Sequence, residues 1–234
     1  MSWNESSSYV SADVRDERVT AFLSKVYGWM FLGLLVTAGV AFFVASSPVL
    51  IETLILNRLL FWIILLAPIG LVWFLAAKVD TIAPATAAIM FLVYAATVGI
   101  TSSVVLLIYT GASIVSAFVI TSGMFGAMAV FGTLTKKNLA GVGQFMFMGL
   151  IGLIIASVVN IFLFNDVLSF VISIVGVIVF TGLTAYDAQR LKEMAVALPE
   201  GKVGSYAVVG ALSLYLDFIN LFFFILRLFG GRRD

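Results

Sequence analysis

The chain has 234 residues, 62% of them hydrophobic and 11% charged, with a formal net charge of +1 and a mean hydropathy of +1.17; soluble domains run about 45–50% apolar and about 25% charged, so this is an integral membrane protein. The near-neutral balance offers no basic face to nucleic acid and does not point to acidic substrates. With neither cysteine nor histidine in the sequence, disulfides, thiol catalysis, Ser-His-Asp triads and most zinc or haem ligation are excluded, which leaves Asp and Glu as the side chains able to titrate near neutral pH.

Residues 1–20 (MSWNESSSYVSADVRDERVT) are polar and mixed in charge. A secretory leader would begin with a short basic stretch, so they read as a disordered or surface-lying cytoplasmic tail, the segment suited to capturing membrane-protein partners. Seven apolar stretches follow, at 21–45, 59–77, 82–108, 112–132, 142–165, 167–188 and 206–229, each near the roughly 20 residues a spanning helix needs. Lipid offers the backbone no hydrogen-bond partner, so all seven are assigned helix. The expectation is an all-α polytopic membrane protein, with seven transmembrane helices in one domain over 21–230 and a short polar end at 231–234.

Tight hairpins are expected at YTGAS and FND, and a longer loop at QRLKEMAVALPEGKVGS, where Pro199 and Gly201 act as breakers. Pro68 is placed to kink the second helix. Two pairs of small residues at spacing four, Ser122 with Gly126 and Gly152 with Ala156, permit close helix approach, although apolar helices are ordinarily rich in Gly and Ala.

Basic residues set orientation. Seven spans put Arg15, Arg18, Lys25, Lys78, Lys136, Lys137, Arg190, Lys192 and Lys202 on the side of the amino terminus, and Arg58, Arg227, Arg232 and Arg233 on the other. The amino terminus is therefore expected in the cytoplasm and the carboxyl terminus outside. A re-entrant last helix would return its arginines to the cytoplasmic set.

Most acidic residues of the apolar region fall at helix ends, but Asp187 and Asp217 do not. Asp217, in LSLYLDFINLFFFILRLFG, is about 11 residues into the last helix, close to half the hydrocarbon depth at about 1.5 Å per residue. Asp187 lies in FTGLTAYDAQRLK. Each is about 15 residues from the breakers near 202, so the carboxylates reach similar depth if the sixth helix continues beyond 188. A carboxylate at the centre of a membrane helix costs about 2.5–3.5 kcal/mol. Two close together resist double ionisation, so the pair is expected to hold one proton and to sense pH. Fully ionised, its oxygens suit Ca²⁺, whose usual shell of about 6–8 oxygens would be completed by water and carbonyls; protonated, it can latch two helices. The alternative is structural: each Asp hydrogen-bonds a nearby group, with Thr181, Thr184, Tyr186, Gln189, Ser213, Tyr215 and Asn220 as candidates.

At these residues the sequence resembles the Bax inhibitor-1 family, also called transmembrane Bax inhibitor motif proteins. GLTAYDAQRLK at 182–192 resembles its sixth-helix motif and ALSLYLDFINLFFFILRLFG at 211–230 its seventh. The likeness runs from KVYGWMFLGLLVTA near residue 25 through TSGMFGAMAVFGTLTKKNL to the end, and is greatest to bacterial inner-membrane members. The resemblance implies a seven-helix fold with a central last helix, and a pH-sensitive calcium leak gated by an aspartate dyad, which falls on Asp187 and Asp217. Tyr186, Gln189, Tyr215, Asn220 and Lys78 stand as auxiliary candidates. Some members carry an arginine late in helix two that closes the pore against the dyad. Here LVWFLAAKVDT has none, and Lys78, the nearest cation, lacks the bidentate fork.

The expected function is thus a cation leak of the cytoplasmic membrane with Ca²⁺ as the transported ion, no cofactor and no enzymatic activity. Two readings compete with it. One is a non-transporting interaction protein that modulates membrane-protein quality control. The other is an intramembrane aspartyl protease, which the sequence disfavours: such enzymes carry Gly-x-Gly-Asp at the second aspartate, whereas Ser213-Leu214-Tyr215-Leu216 precede Asp217.

Overall fold

The structure, a computed structural model, describes residues 12–233. The described residues form eight α-helices: α1 (Ala12–Ala45), α2 (Pro48–Leu56), α3 (Arg58–Lys78), α4 (Pro84–Ile108), α5 (Gly111–Leu134), α6 (Ala140–Leu163), α7 (Asp166–Ala197) and α8 (Val203–Phe229), with a 3₁₀ turn at Glu200–Lys202 before α8. No strand occurs among the described residues. Side-chain caps set several starts: Asn57 accepts from Leu60 N at 3.0 Å and Asn165 from Leu168 N at 2.9 Å, each satisfying one orphan amide of a first turn.

Among the described residues six helices are long and apolar enough to cross a membrane: the Arg15–Ala45 part of α1, and α4 to α8. The expected second span corresponds to α3, a helix of 21 residues; Pro68 lies inside it without ending it. Helix α2 falls where a loop was expected, and its nine residues are too few to cross about 30 Å of hydrocarbon.

Two boundaries differ from the sequence reading. Helix α1 begins within the supposed tail, at Ala12; residues 1–11 lie outside the described region. Helix α7 runs on to Ala197, stopping before Pro199. The segment read as a loop is built of good helix formers, and a proline bars continuation.

Hydropathy does not tell inside from outside here, because lipid is as apolar as the core. Burial does: 56% of the apolar window of α8 is enclosed, against 6% for α6. Helix α8 packs against α1, α3, α4, α5 and α7, burying Tyr215, Leu214, Leu221 and Ile225 completely. Helix α6 packs substantially against α7 alone.

Close approach occurs at Gly132 of α5, which lies against the Ala185 backbone of α7 with no room for a side chain. The glycines of the small-residue pairs singled out above make no such approach, since nothing comes within 4 Å of a Cβ built at Gly126 or Gly152, although Ala156 packs against the core. Both glycines sit on faces left to lipid.

Helix α8 is one continuous rod, and its two ends meet opposite ends of α4. At its start Ser205 Oγ donates to Ile82 O at 2.8 Å. At its finish Thr110 N donates to Gly231 O at 3.1 Å and Arg233 N to Ile108 O at 2.8 Å, and Tyr109 and Arg232 form an antiparallel bridge. The helix does not turn back on itself, and residues 231–233 are pinned to the α4–α5 turn.

Candidate functional site

Helices α7 and α8 run antiparallel in a register fixed by three contacts: Phe224 lies over Gly176, Leu191 over Gly210, and Ser213 Oγ donates to Asp187 Oδ2. Asp187 is thus level with Ser213, and Asp217 lies one turn farther along, opposite Leu183. The equal depth read from loop spacing misses by that turn, about 6 Å of rise. No hydrogen bond joins the two carboxylates. They nevertheless line one cleft of about 750 Å³ between α6, α7 and α8, together with Tyr186, Arg190, Ser213 and Asn220.

The two carboxyls have unlike surroundings. Half-buried Asp187 has the Ser213 hydroxyl as donor and is close enough to feel the charge of Arg190. Asp217 is 4% exposed and its Oδ2 is buried without a hydrogen-bond partner, a condition shared among the described residues only with Thr181 Oγ1. The charge of Asp187 acts on it across the cleft. A second cleft, about 290 Å³ between α3, α7 and α8, also reaches Asp187, Arg190 and Ser213. Tyr206 lines its mouth and donates to Asp80 Oδ1 at 2.7 Å, while Lys202 Nζ lies 3.0 Å from the same oxygen. The Tyr206 hydroxyl, and after it Lys202, holds the exposed Asp80 carboxyl below the usual range.

The family described as "Inhibitor of apoptosis-promoting Bax1" matches residues 19–234. The chain belongs to the Bax inhibitor-1 family. Among its relatives, inner membrane protein YbhL of Escherichia coli K12 is 44% identical over 215 residues, covering 91% of this chain and 92% of YbhL. Protein RP147 of Rickettsia prowazekii is 43% identical, covering 94% of this chain and 93% of its own. The membrane protein SpyM3_0260 of Streptococcus pyogenes is 35% identical, covering 97% of each.

In this family member the auxiliary candidates divide. Tyr186 and Asn220 line the cleft with the aspartates; the Tyr186 ring stands over Gly143 of α6, and Asn220 Nδ2 donates to Leu216 O at 2.7 Å. Tyr215, two residues before Asp217, points to the opposite face, where its hydroxyl meets Thr37 Oγ1 at 2.6 Å and its ring packs edge-on against Phe91 and Tyr94. Gln189 belongs to the α5–α6 connection: it accepts from Leu139 N at 2.7 Å and donates to Lys137 O at 2.8 Å. Lys78 is exposed and lines neither cleft.

The cation at the dyad is instead Arg190, one turn after Asp187 on α7, which sequence reasoning treated only as an orientation signal. Helical spacing carried it all along: Leu183, Tyr186, Asp187 and Arg190 form one face of α7, and Ser213, Leu216, Asp217 and Asn220 one face of α8. No three Asp, Glu, His or Cys side chains converge as a metal site among the described residues.

Proposed function

We propose that this Bax inhibitor-1 family member is a pH-sensitive cation leak of the cytoplasmic membrane, with calcium as its ion and the Asp187–Asp217 pair as its sensor, acting as a conduit and not as an enzyme. The carrying observation is the buried, partnerless Oδ2 of Asp217 in a cleft shared with Asp187. An intramembrane ionisable group is costly to keep and marks a pathway or a relay. Asp187 has a hydroxyl donor and an arginine beside it, whereas the buried Oδ2 of Asp217 has no donor. Ionising both brings like charges together in a low dielectric, which a passing cation or a proton relieves. The pair gives calcium at most four oxygens, so water and backbone carbonyls supply the remainder of a shell of about 6–8.

The proposed topology has seven spans, α3 included, with the amino terminus in the cytoplasm and the carboxyl terminus outside. Purified protein in calcium-indicator liposomes tests the function. A calcium leak that changes with pH, and loses that dependence in Asp217→Asn and in the double variant with Asp187→Asn, is expected. A flux indifferent to both pH and the substitutions sinks the proposal.

A further inference from the structure

The cleft holding the aspartates is not the only polar one on its face. Farther along the same three helices a second, of about 660 Å³, is lined by Asn160 of α6, Asp166 and Ser169 of α7, Arg227 of α8, and Arg232. This outer cleft lies at the end of α8 that carries the carboxyl terminus, while the inner one is centred on the middle of α8, from Ser213 to Asn220. Between them stand two phenylalanines. Phe180 lines the inner cleft and Phe224 the outer, and their rings stack with centroids 5.9 Å apart and planes 29° from parallel.

The arrangement has its own supports. A Cβ at Gly176 would lie 2.5 Å from Cδ2 of Phe224, so only glycine lets the ring settle on α7. From the outer side Arg227 places its guanidinium 5.9 Å from the centroid of the same ring, within reach of a cation–π attraction. One turn inward is Asn220, the cleft residue nearest the ring on α8. A polar groove interrupted by a stacked aromatic pair excludes ions by leaving them nothing to replace their hydration, as hydrophobic constrictions do.

We infer that the Phe180–Phe224 stack, seated on Gly176 and steadied by Arg227, is the barrier dividing the groove of α6, α7 and α8 into an inner acidic cleft and an outer cleft, and that the species it stops is a hydrated cation. The barrier stands on the geometry alone; its bearing on ions rests on the conduit proposed above. Opening requires the Phe224 ring to leave Gly176, and Arg227, carried on that ring, sets a positive charge at the outer entrance.

The sequence contains no cysteine, so single cysteines report access without background. Asn220→Cys is placed in the inner cleft and Ser169→Cys in the outer, and reconstituted protein is exposed to a charged thiol reagent on the carboxyl-terminal side, verified with Arg233→Cys. Ser169→Cys should label readily and Asn220→Cys slowly, and adding Phe224→Ala should raise the Asn220→Cys rate several-fold and the calcium leak with it. Gly176→Ala, which displaces the ring while keeping it, should act in the same direction if the alanine at 224 impairs folding. Equal labelling of Asn220→Cys with and without the Phe224 ring overturns the barrier even if the aspartates control flux. Labelling that follows Phe224 while flux ignores both aspartates keeps the barrier and removes the conduit.

Discussion

The Ser213 hydroxyl of α8 donates to the Asp187 carboxylate of α7 one helical turn before Asp217 on the same face of α8. That bond is a direct polar link between the two helices at the site. Ser213→Ala is expected to lower stability by about 0.6–2 kcal/mol, the range of interhelical hydrogen bonds in membrane proteins, read as thermal unfolding in detergent. It should also displace the pH response of the leak, whereas Asp217→Asn abolishes it; a response identical to wild type in Ser213→Ala removes Ser213 from the sensor.

Tyr215→Phe separates packing from sensing. Its hydroxyl meets Thr37, which also donates within 3.0 Å of the Ala95 and Gly33 carbonyls, so Thr37 retains acceptors and the loss should be modest, again about 0.6–2 kcal/mol. Because the ring faces α1 and α4, the pH profile of the leak should not move. A shifted profile would restore Tyr215 to the site.

Gly132→Val should be the most damaging single change among these. The α5 backbone meets the Ala185 backbone of α7 there, and a backbone cannot rotate aside as a side chain can. Overpacking typically costs about 1–3 kcal/mol, and separating these helices should exceed that range. The same change at Gly126, which faces open space, is the control and should be close to neutral in thermal unfolding.

Asp80 gives a pH dependence with a definite sign. Tyr206 first and Lys202 second hold its carboxyl below the usual range, so the folded state favours the ionised form. The stabilisation is therefore full above the ordinary carboxyl range and is lost as pH falls through the lowered value. Asp80→Asn should unfold at lower temperature than wild type at neutral pH, by a small margin that added salt shrinks, and the two should converge in acid. A gap that persists in acid would assign Asp80 some role other than its charge.

The helices were largely legible in the sequence because lipid leaves the backbone one solution, and composition alone marks where it applies. Their depth in the bundle was not. Leu and Phe are as much at home against lipid as in the core, so α6 and α8 look alike in hydropathy while one is exposed and the other enclosed. The aspartates were legible as misfits, and their helix pair as consecutive segments. The register was not, since α7 hides nine further residues of helix, 189–197, in an apparent loop. Gln189 and Tyr215 are close to the aspartates in sequence, but a helix turns that proximity into opposite faces, and Arg190 carries no signal in the sequence that separates a cleft residue from a basic anchor at the membrane boundary.

Helix α6 rests substantially on α7 alone, yet it forms one wall of both clefts. A helix with one substantial protein neighbour takes the rest of its positional restraint from acyl chains. The width of the groove in which the aspartates sit is therefore a joint property of the chain and of the bilayer around it, and thickness or lateral tension in that bilayer acts on the groove without any ligand as intermediary.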